Sequence, residues 1–174
     1  MFLRAFKENS NKKYLNKLLS NRYVNVGDSK IESLGIIFNL GENEDFGLFK
    51  NLASKIKVNP NNFKVIGFSR DKKANLNTWD LCFNPDDFGW NGVIKHVELQ
   101  SFLDKKFDVL ISYYLSEDFE LKLMTAKSKA QFKIGNLQTD FRLNDLIINT
   151  NLNEFDVFEN EVFKYLTILN KIKK

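Results

Sequence analysis

The sequence predicts a mostly parallel α/β domain with helices over both faces of one sheet, and three observations predict it. Ile36–Phe38, Val65–Phe68 and Val109–Ile111 sit in near-continuous apolar runs, the pattern of strands covered on both sides rather than of strands with one wet face. Between these runs lie stretches with helical periodicity and turn residues at their ends, as alternating strand–helix units require. The chain of 174 residues, with 43% apolar side chains and 17 Phe, is long and apolar enough to build one core. One domain over 1–174 is therefore expected, with 1–22 as a basic N-terminal helical segment.

Each element has its own signal. Phe2 to about Leu19 reads as an amphipathic helix, with Phe2, Leu3, Phe6, Tyr14, Leu15, Leu18 and Leu19 on one side. Ser10 and Asn11 weaken its middle, which leaves open one helix or two pieces. Asn25, Gly27 and Asp28 form a turn, and Ser33–Asn39 is the first core strand. Gly41 and Asn43 end it, and Glu44 and Asp45 suit the first turn of a helix running to about Ile56. After the turn Asn59-Pro60-Asn61-Asn62, Phe63–Ser69 is the second strand. Arg70–Lys73 reads as a polar turn, Trp79–Phe83 as a short strand and Asn84–Gly92 as a loop of turn formers. A short helix is expected near Val97–Leu103 and a third apolar strand over Phe107–Ser112. Ser116 is the expected N-cap of a helix ending by about Lys127. Short strands over Gln131–Ile134 and Asp145–Ile148, then a helix over Asn153–Ile172, complete a Rossmann-like, three-layer arrangement.

Charge is unevenly placed. The net charge is +4, but residues 1–30 carry +5 and residues 164–174 carry +4, so the body between them carries −5. Basic ends suit a phosphate-rich or acidic partner. The alternative is plain solvation, since 22 Lys against 4 Arg is a composition in which lysine spreads over exposed faces. Cys82 is the only cysteine, which excludes an intramolecular disulfide and a cysteine-rich zinc site and fits a reducing, cytoplasmic setting. No apolar run has the length of a signal segment or a membrane span.

The chemistry-bearing candidates are few. Neither G-x-G-x-x-G nor G-x-x-x-x-G-K-[ST] follows the first strand, and Glu42, Glu44 and Asp45 beside Gly41 would repel a phosphate there. Cys82 and His96 are the one conceivable nucleophile and base, against the simpler reading of a buried thiol and a helix-capping histidine. Asp86 and Asp87, with Trp90 and His96, are the candidate ligand residues, because open α/β sheets present ligands beyond their strand ends; turn formation and hydrophobic plugging are the structural alternatives. Arg4, Lys7, Lys12, Lys13, Lys17 and Arg22 are the candidate phosphate or partner contacts, with Lys13 and Lys17 one helical turn apart. Four arginines are too few for base-specific readout. No catalytic residue, metal or cofactor is called for by any motif.

Two resemblances add to this. The opening Phe2-Leu3-Arg4-Ala5-Phe6-Lys7, with Lys12-Lys13-Tyr14-Leu15, Phe107–Tyr114 and Ala126–Gly135, resembles a family of small uncharacterised proteins of Bacteroidetes over nearly the whole chain. Phe107–Gly135 also resembles the first Rossmann-like domain of lipopolysaccharide heptosyltransferases, which implies the fold; the chain is about half their length and lacks the second, nucleotide-sugar-binding domain. The leading expectation is a non-enzymatic protein that binds RNA, an acidic protein surface, or a ribosomal or envelope-biogenesis complex through its basic terminal helices. The alternative is a nucleotide- or sugar-handling enzyme. A homodimer built on the first helix is a third.

Overall fold

The computed structural model describes residues 2–24, 26–71, 81–137 and 140–173. Along the chain run α1 (Phe2–Ser20), β1 (Leu34–Asn39), α2 (Phe46–Lys55), β2 (Phe63–Phe68), β3 (Leu81–Phe83), α3 (Val97–Asp104), β4 (Val109–Tyr113), α4 (Phe119–Lys127), β5 (Phe132–Asn136), β6 (Leu146–Ile148) and α5 (Phe155–Ile168). The six strands form one sheet in the order β3-β2-β1-β4-β5-β6, with every neighbouring pair parallel. That is the Rossmann-like order, in which the chain grows outward from β1 in one direction and from β4 in the other.

The apolar runs become strands because both faces of the sheet are covered. On one face Ile36, Phe38, Val109, Ile111 and Ile134 pack under Phe49 and Leu52 of α2 and Phe158 and Val162 of α5. On the other, Ile37, Ile66, Phe68 and Leu110 pack under Leu99 and Phe102 of α3 and Leu121 and Met124 of α4. Phe49, Tyr113, Phe155 and Phe158 meet as edge-on ring pairs at the centre of the first layer, a geometry that adds to their area burial. α1 lies outside this sandwich, with Leu15 and Leu19 buried against Leu143. Its Tyr14 and Leu18 pack on the α3/α4 side, so the two terminal helices sit on opposite faces of the sheet.

Several boundaries differ from the sequence reading. α1 is one continuous helix across Ser10 and Asn11, because Asn11 is turned inward. Its Nδ2 donates to Gly89 O at 3.1 Å and its Oδ1 accepts from Gly92 N at 3.0 Å. Gly92 itself has φ +67°, and a Cβ there would strike the Tyr14 ring, so the loop and the helix fit only with glycine. The apolar face of α1 is divided: Leu15 and Leu19 are buried, while Phe2, Leu3 and Phe6 are exposed.

Asp45 is the N-cap of α2 rather than a first-turn residue, accepting from Gly47 N. Ser116 does not cap α4; it accepts from Asp118 N, and the helix starts at Phe119. β3 begins at Leu81, and Trp79 and Asp80, expected within it, lie outside the described residues, as do Lys72 and Lys73 of the expected turn and Asn25 of the first turn. α5 ends at Ile168 because Asn170 adopts φ 55° and reverses the chain. Lys171 then ties the end to the 27–31 segment, its carbonyl accepting from Ile31 N and its amine donating to Gly27 O.

Candidate functional site

Where the strand order reverses, between β1 and β4, an open α/β sheet leaves a crevice beyond its strand ends. Here the chain's own side chains fill it. Glu42, three residues past β1, reaches across so that its carboxylate accepts from Leu115 N at 3.1 Å and from Ser116 N. Burial pushes this carboxyl above its ordinary range, against the backbone hydrogen bonds and the Asn39 contact that favour its charged form, with Asp118 adding a small push upward. Asn39 Oδ1 accepts from Gly41 N at 3.0 Å and tightens the same turn. At the mouth Arg70 pairs with Asp118 and lies 3.9 Å from Glu120, while Ser116 Oγ donates to Asp118 at 2.7 Å. The seats an anion would take at α2 and at the β4 loop are thus held by Asp45 and Glu42.

The candidate ligand residues are placed next to one another in the chain but work locally. Asp87 accepts from Asn84 N and completes a capping box around the short turn Pro85–Asp87, in which Asp86 N donates to Asn84. His96 is the N-cap of α3, its Nδ1 accepting from Glu98 N, and its ring stands edge-on to Phe83. Cys82 is half-buried on β3, and burial pushes its thiol up to about 11, away from the thiolate a nucleophile needs. Trp90 is 45% exposed and turns away from these groups toward α1. Among the described residues no three or more His, Cys, Asp or Glu side chains are grouped to hold a metal ion.

The basic candidates divide in the same way. Arg22 is half-buried in an ion pair with Asp145 and donates to Arg142 O at 2.8 Å, a tie between α1 and the β6 approach. Lys7 donates to Phe88 O at 2.9 Å. Lys12, Lys13 and Lys17 are exposed. At the other terminus Lys164 pairs with Glu161, Lys173 with Glu32, and Lys171 is buried. Both basic ends keep exposed lysines, but Lys164 and Lys173 face acidic partners across the surface, whereas Lys12, Lys13 and Lys17 stand together on one helix.

α1 and the short turn at Trp90 enclose a shallow groove of about 520 Å³, lined by Phe6, Lys13, Tyr14, Lys17 and Trp90. Beyond it the helix presents Phe2 at 83%, Leu3 at 75% and Phe6 at 63% exposure, a cluster of large apolar side chains that a folded domain rarely leaves open without a use. A larger cleft of about 1100 Å³ lies at the opposite end of the sheet under β2, with Lys57 and Lys64 in its wall and Leu81, the first described residue after 72–80, at its edge. The lysines and Trp90 are legible in the sequence, and so is the apolar side of α1 that holds Phe2, Leu3 and Phe6; that these three stay exposed while Leu15 and Leu19 are buried is not. It did not single out Asn11, whose inward turn sets Trp90 beside the helix, nor Glu42 as a latch between β1 and β4.

Among the described residues no helix is long and apolar enough to cross a membrane. Neither a curated protein nor a solved structure matches the chain significantly. A family model does, over residues 7–169, and the chain accordingly belongs to the family of unknown function DUF6913.

Proposed function

We propose that this protein is a docking module, not an enzyme, that meets an acidic or phosphate-rich macromolecular surface through α1 and Trp90. The single observation that carries the reading is the pairing, on one helix outside the sandwich, of outward Lys12, Lys13 and Lys17 with exposed Phe2, Leu3 and Phe6. Lysines of this kind supply long-range attraction, and apolar side chains supply the short-range burial that keeps a partner. The setting is a bacterial cytoplasm, as the resemblance of the chain's opening to Bacteroidetes proteins implies, and RNA, an acidic protein or an envelope-biogenesis complex are the candidate partner classes.

The experiment compares the full chain with a K12Q/K13Q/K17Q variant against three anionic probes: bulk transfer RNA, vesicles containing an anionic lipid, and an acidic polypeptide. Wild type is expected to bind at least one probe at low salt, with the variant weaker. Equal binding of all three by both proteins would overturn the reading.

A second reading rests on the strand order, which is shared with nucleotide-binding folds: a nucleotide- or sugar-handling enzyme. It requires Glu42 to vacate the crevice, and it predicts a rise in melting temperature with nucleotide-sugars that the docking reading does not.

A further inference from the structure

We infer that the surface α1 meets is an anionic lipid interface, entered by Phe2, Leu3, Phe6 and Trp90 with Lys13 and Lys17 at the level of the lipid phosphates. The inference rests on the docking reading, takes its phosphate-rich surface to be a lipid leaflet, and sets this against the RNA and protein classes given there.

The first argument is the order of side chains along the helix. Phe2 and Phe6 are one turn apart and so share a stripe, with Leu3 beside it, and the exposed ammonium groups of Lys13 and Lys17 follow farther along. Phe6, Lys13, Lys17 and Trp90 all face the same groove. The two chemistries are thus separated along the helix rather than around it, so that its N-terminal apolar end would sink about 5–10 Å into the headgroup boundary while the lysines farther along stay at the phosphates. Half-exposed Trp90 has the amphipathic ring that settles at that depth.

The second argument is charge. α1 carries Arg4, Lys7, Lys12, Lys13 and Lys17 against Glu8 alone. Glu8 is exposed, as are Lys12, Lys13 and Lys17, and the three lysines outnumber it. The outward charge of the helix is therefore basic, complementary to an anionic leaflet.

The third argument separates lipid from RNA. Guanidinium forks and stacked rings do most of the work of RNA recognition. Three of the four arginines lie off α1 or point away from its outer face and pair with carboxylates, Arg22 with Asp145, Arg70 with Asp118 and Arg142 with Asp140. Phe2, Phe6 and Trp90 could stack on bases but Leu3 could not, whereas an acyl layer takes all four side chains alike.

The test is partition of the full chain onto vesicles of phosphatidylcholine alone or mixed with phosphatidylglycerol, by co-sedimentation. All substituted side chains are exposed, so the variants keep the fold. Wild type is expected on the mixed vesicles and off the neutral ones. Each of Lys13→Gln and Lys17→Gln should weaken partition about fivefold, and Phe6→Ala roughly tenfold or more. Absence of wild type from the mixed vesicles overturns the inference, as does a Phe6→Ala variant that partitions like wild type. Should the K12Q/K13Q/K17Q variant lose transfer RNA or polypeptide binding while vesicles go unbound, the lipid inference falls and the docking reading stands. Should Phe6→Ala instead dissolve a dimer seen by light scattering, with no vesicle binding, the face joins two copies and the lipid inference likewise falls. Failure of every anionic probe removes both.

Discussion

Lys133 gives the sharpest test of the packing. It lies within the buried β5 strand, its side chain is on the α4 side, and it is only 3% exposed. Its Nζ donates to Thr125 O at 2.7 Å and to Ala126 O at 3.4 Å. Those carbonyls belong to the last turn of α4, where the helix dipole favours a cation. Burial nevertheless dominates and pushes the amine down to about 7, with Arg22 acting in the same direction and Asp145 opposing it. An unfolded lysine keeps its proton to about pH 10.4. Between pH 7 and that value the unfolded chain therefore binds more protons than the folded one, and the free energy of unfolding rises with pH. From pH 7 to pH 9 the gain attributable to this one amine is about 2 kcal/mol. Above pH 9 Cys82, whose thiol is raised to about 11, begins to act in the opposite sense, because the folded state then holds the extra proton. The useful quantity is thus the difference in unfolding free energy between wild type and Lys133→Met, in which the Cys82 contribution cancels. Urea unfolding followed by circular dichroism at pH 7, 8 and 9 should show wild type gaining on the variant by about 2 kcal/mol across the series. A difference that stays constant with pH would refute the buried, weakly basic amine.

Three further outcomes follow from other contacts. Asn11→Ala leaves Gly89 O and Gly92 N without their side-chain partner, at about 1–3 kcal/mol for each buried group so orphaned; α1 should become the first site of limited proteolysis while the sheet stays folded. Gly35→Ala would set a Cβ 2.8 Å from two atoms of the Phe107 ring and 3.1 Å from Phe102 Cζ, and overpacking of this kind should lower stability by about 1–3 kcal/mol in denaturant melts. The raised carboxyl of Glu42 contributes stability that is present below its ordinary pKa and lost as pH rises through its folded value. Wild type should therefore lead Glu42→Gln by more at pH 4 than at pH 7 in the same unfolding assay, and an equal lead at both would exclude a buried carboxyl.

The sheet was legible because its strands announce themselves. Ile36–Phe38, Val65–Phe68 and Val109–Ile111 are apolar without interruption, and burial on both faces gives that pattern no competing reading. What escaped depends on partners distant in sequence. Asn11 looks like a helix breaker when seen alone, since its acceptor and donor at Gly89 and Gly92 lie 78 and 81 residues away. Arg22 looks like a phosphate contact until Asp145 is set beside it. Phe2, Leu3 and Phe6 have the spacing of a packed face, but periodicity reports only which side of a helix is apolar, not whether anything covers it. Lys133 had a readable signal: a charged residue inside the apolar run Phe132–Ile134 asks for a buried acceptor, which the end of α4 supplies.

The same topology explains why the likeness of the sheet to nucleotide-binding folds says little about activity. Strand order positions a crevice at β1 and β4, but what binds there is decided by the groups left unpaired at its mouth. In this chain Glu42 already accepts from the β4 loop and Asp45 from the α2 terminus, and Glu117, Asp118 and Glu120 add acidic charge around a single arginine. An incoming phosphate would have to displace a carboxylate from hydrogen bonds as good as its own and enter a field of its own sign. At α1 the conditions are reversed: Lys12, Lys13 and Lys17 project outward, and Phe2, Leu3 and Phe6 keep most of their apolar area exposed. Exposed basic charge and exposed apolar area therefore coincide on the helix outside the sandwich, which is why the proposed docking is placed there, and substitutions at these exposed positions should leave the fold intact.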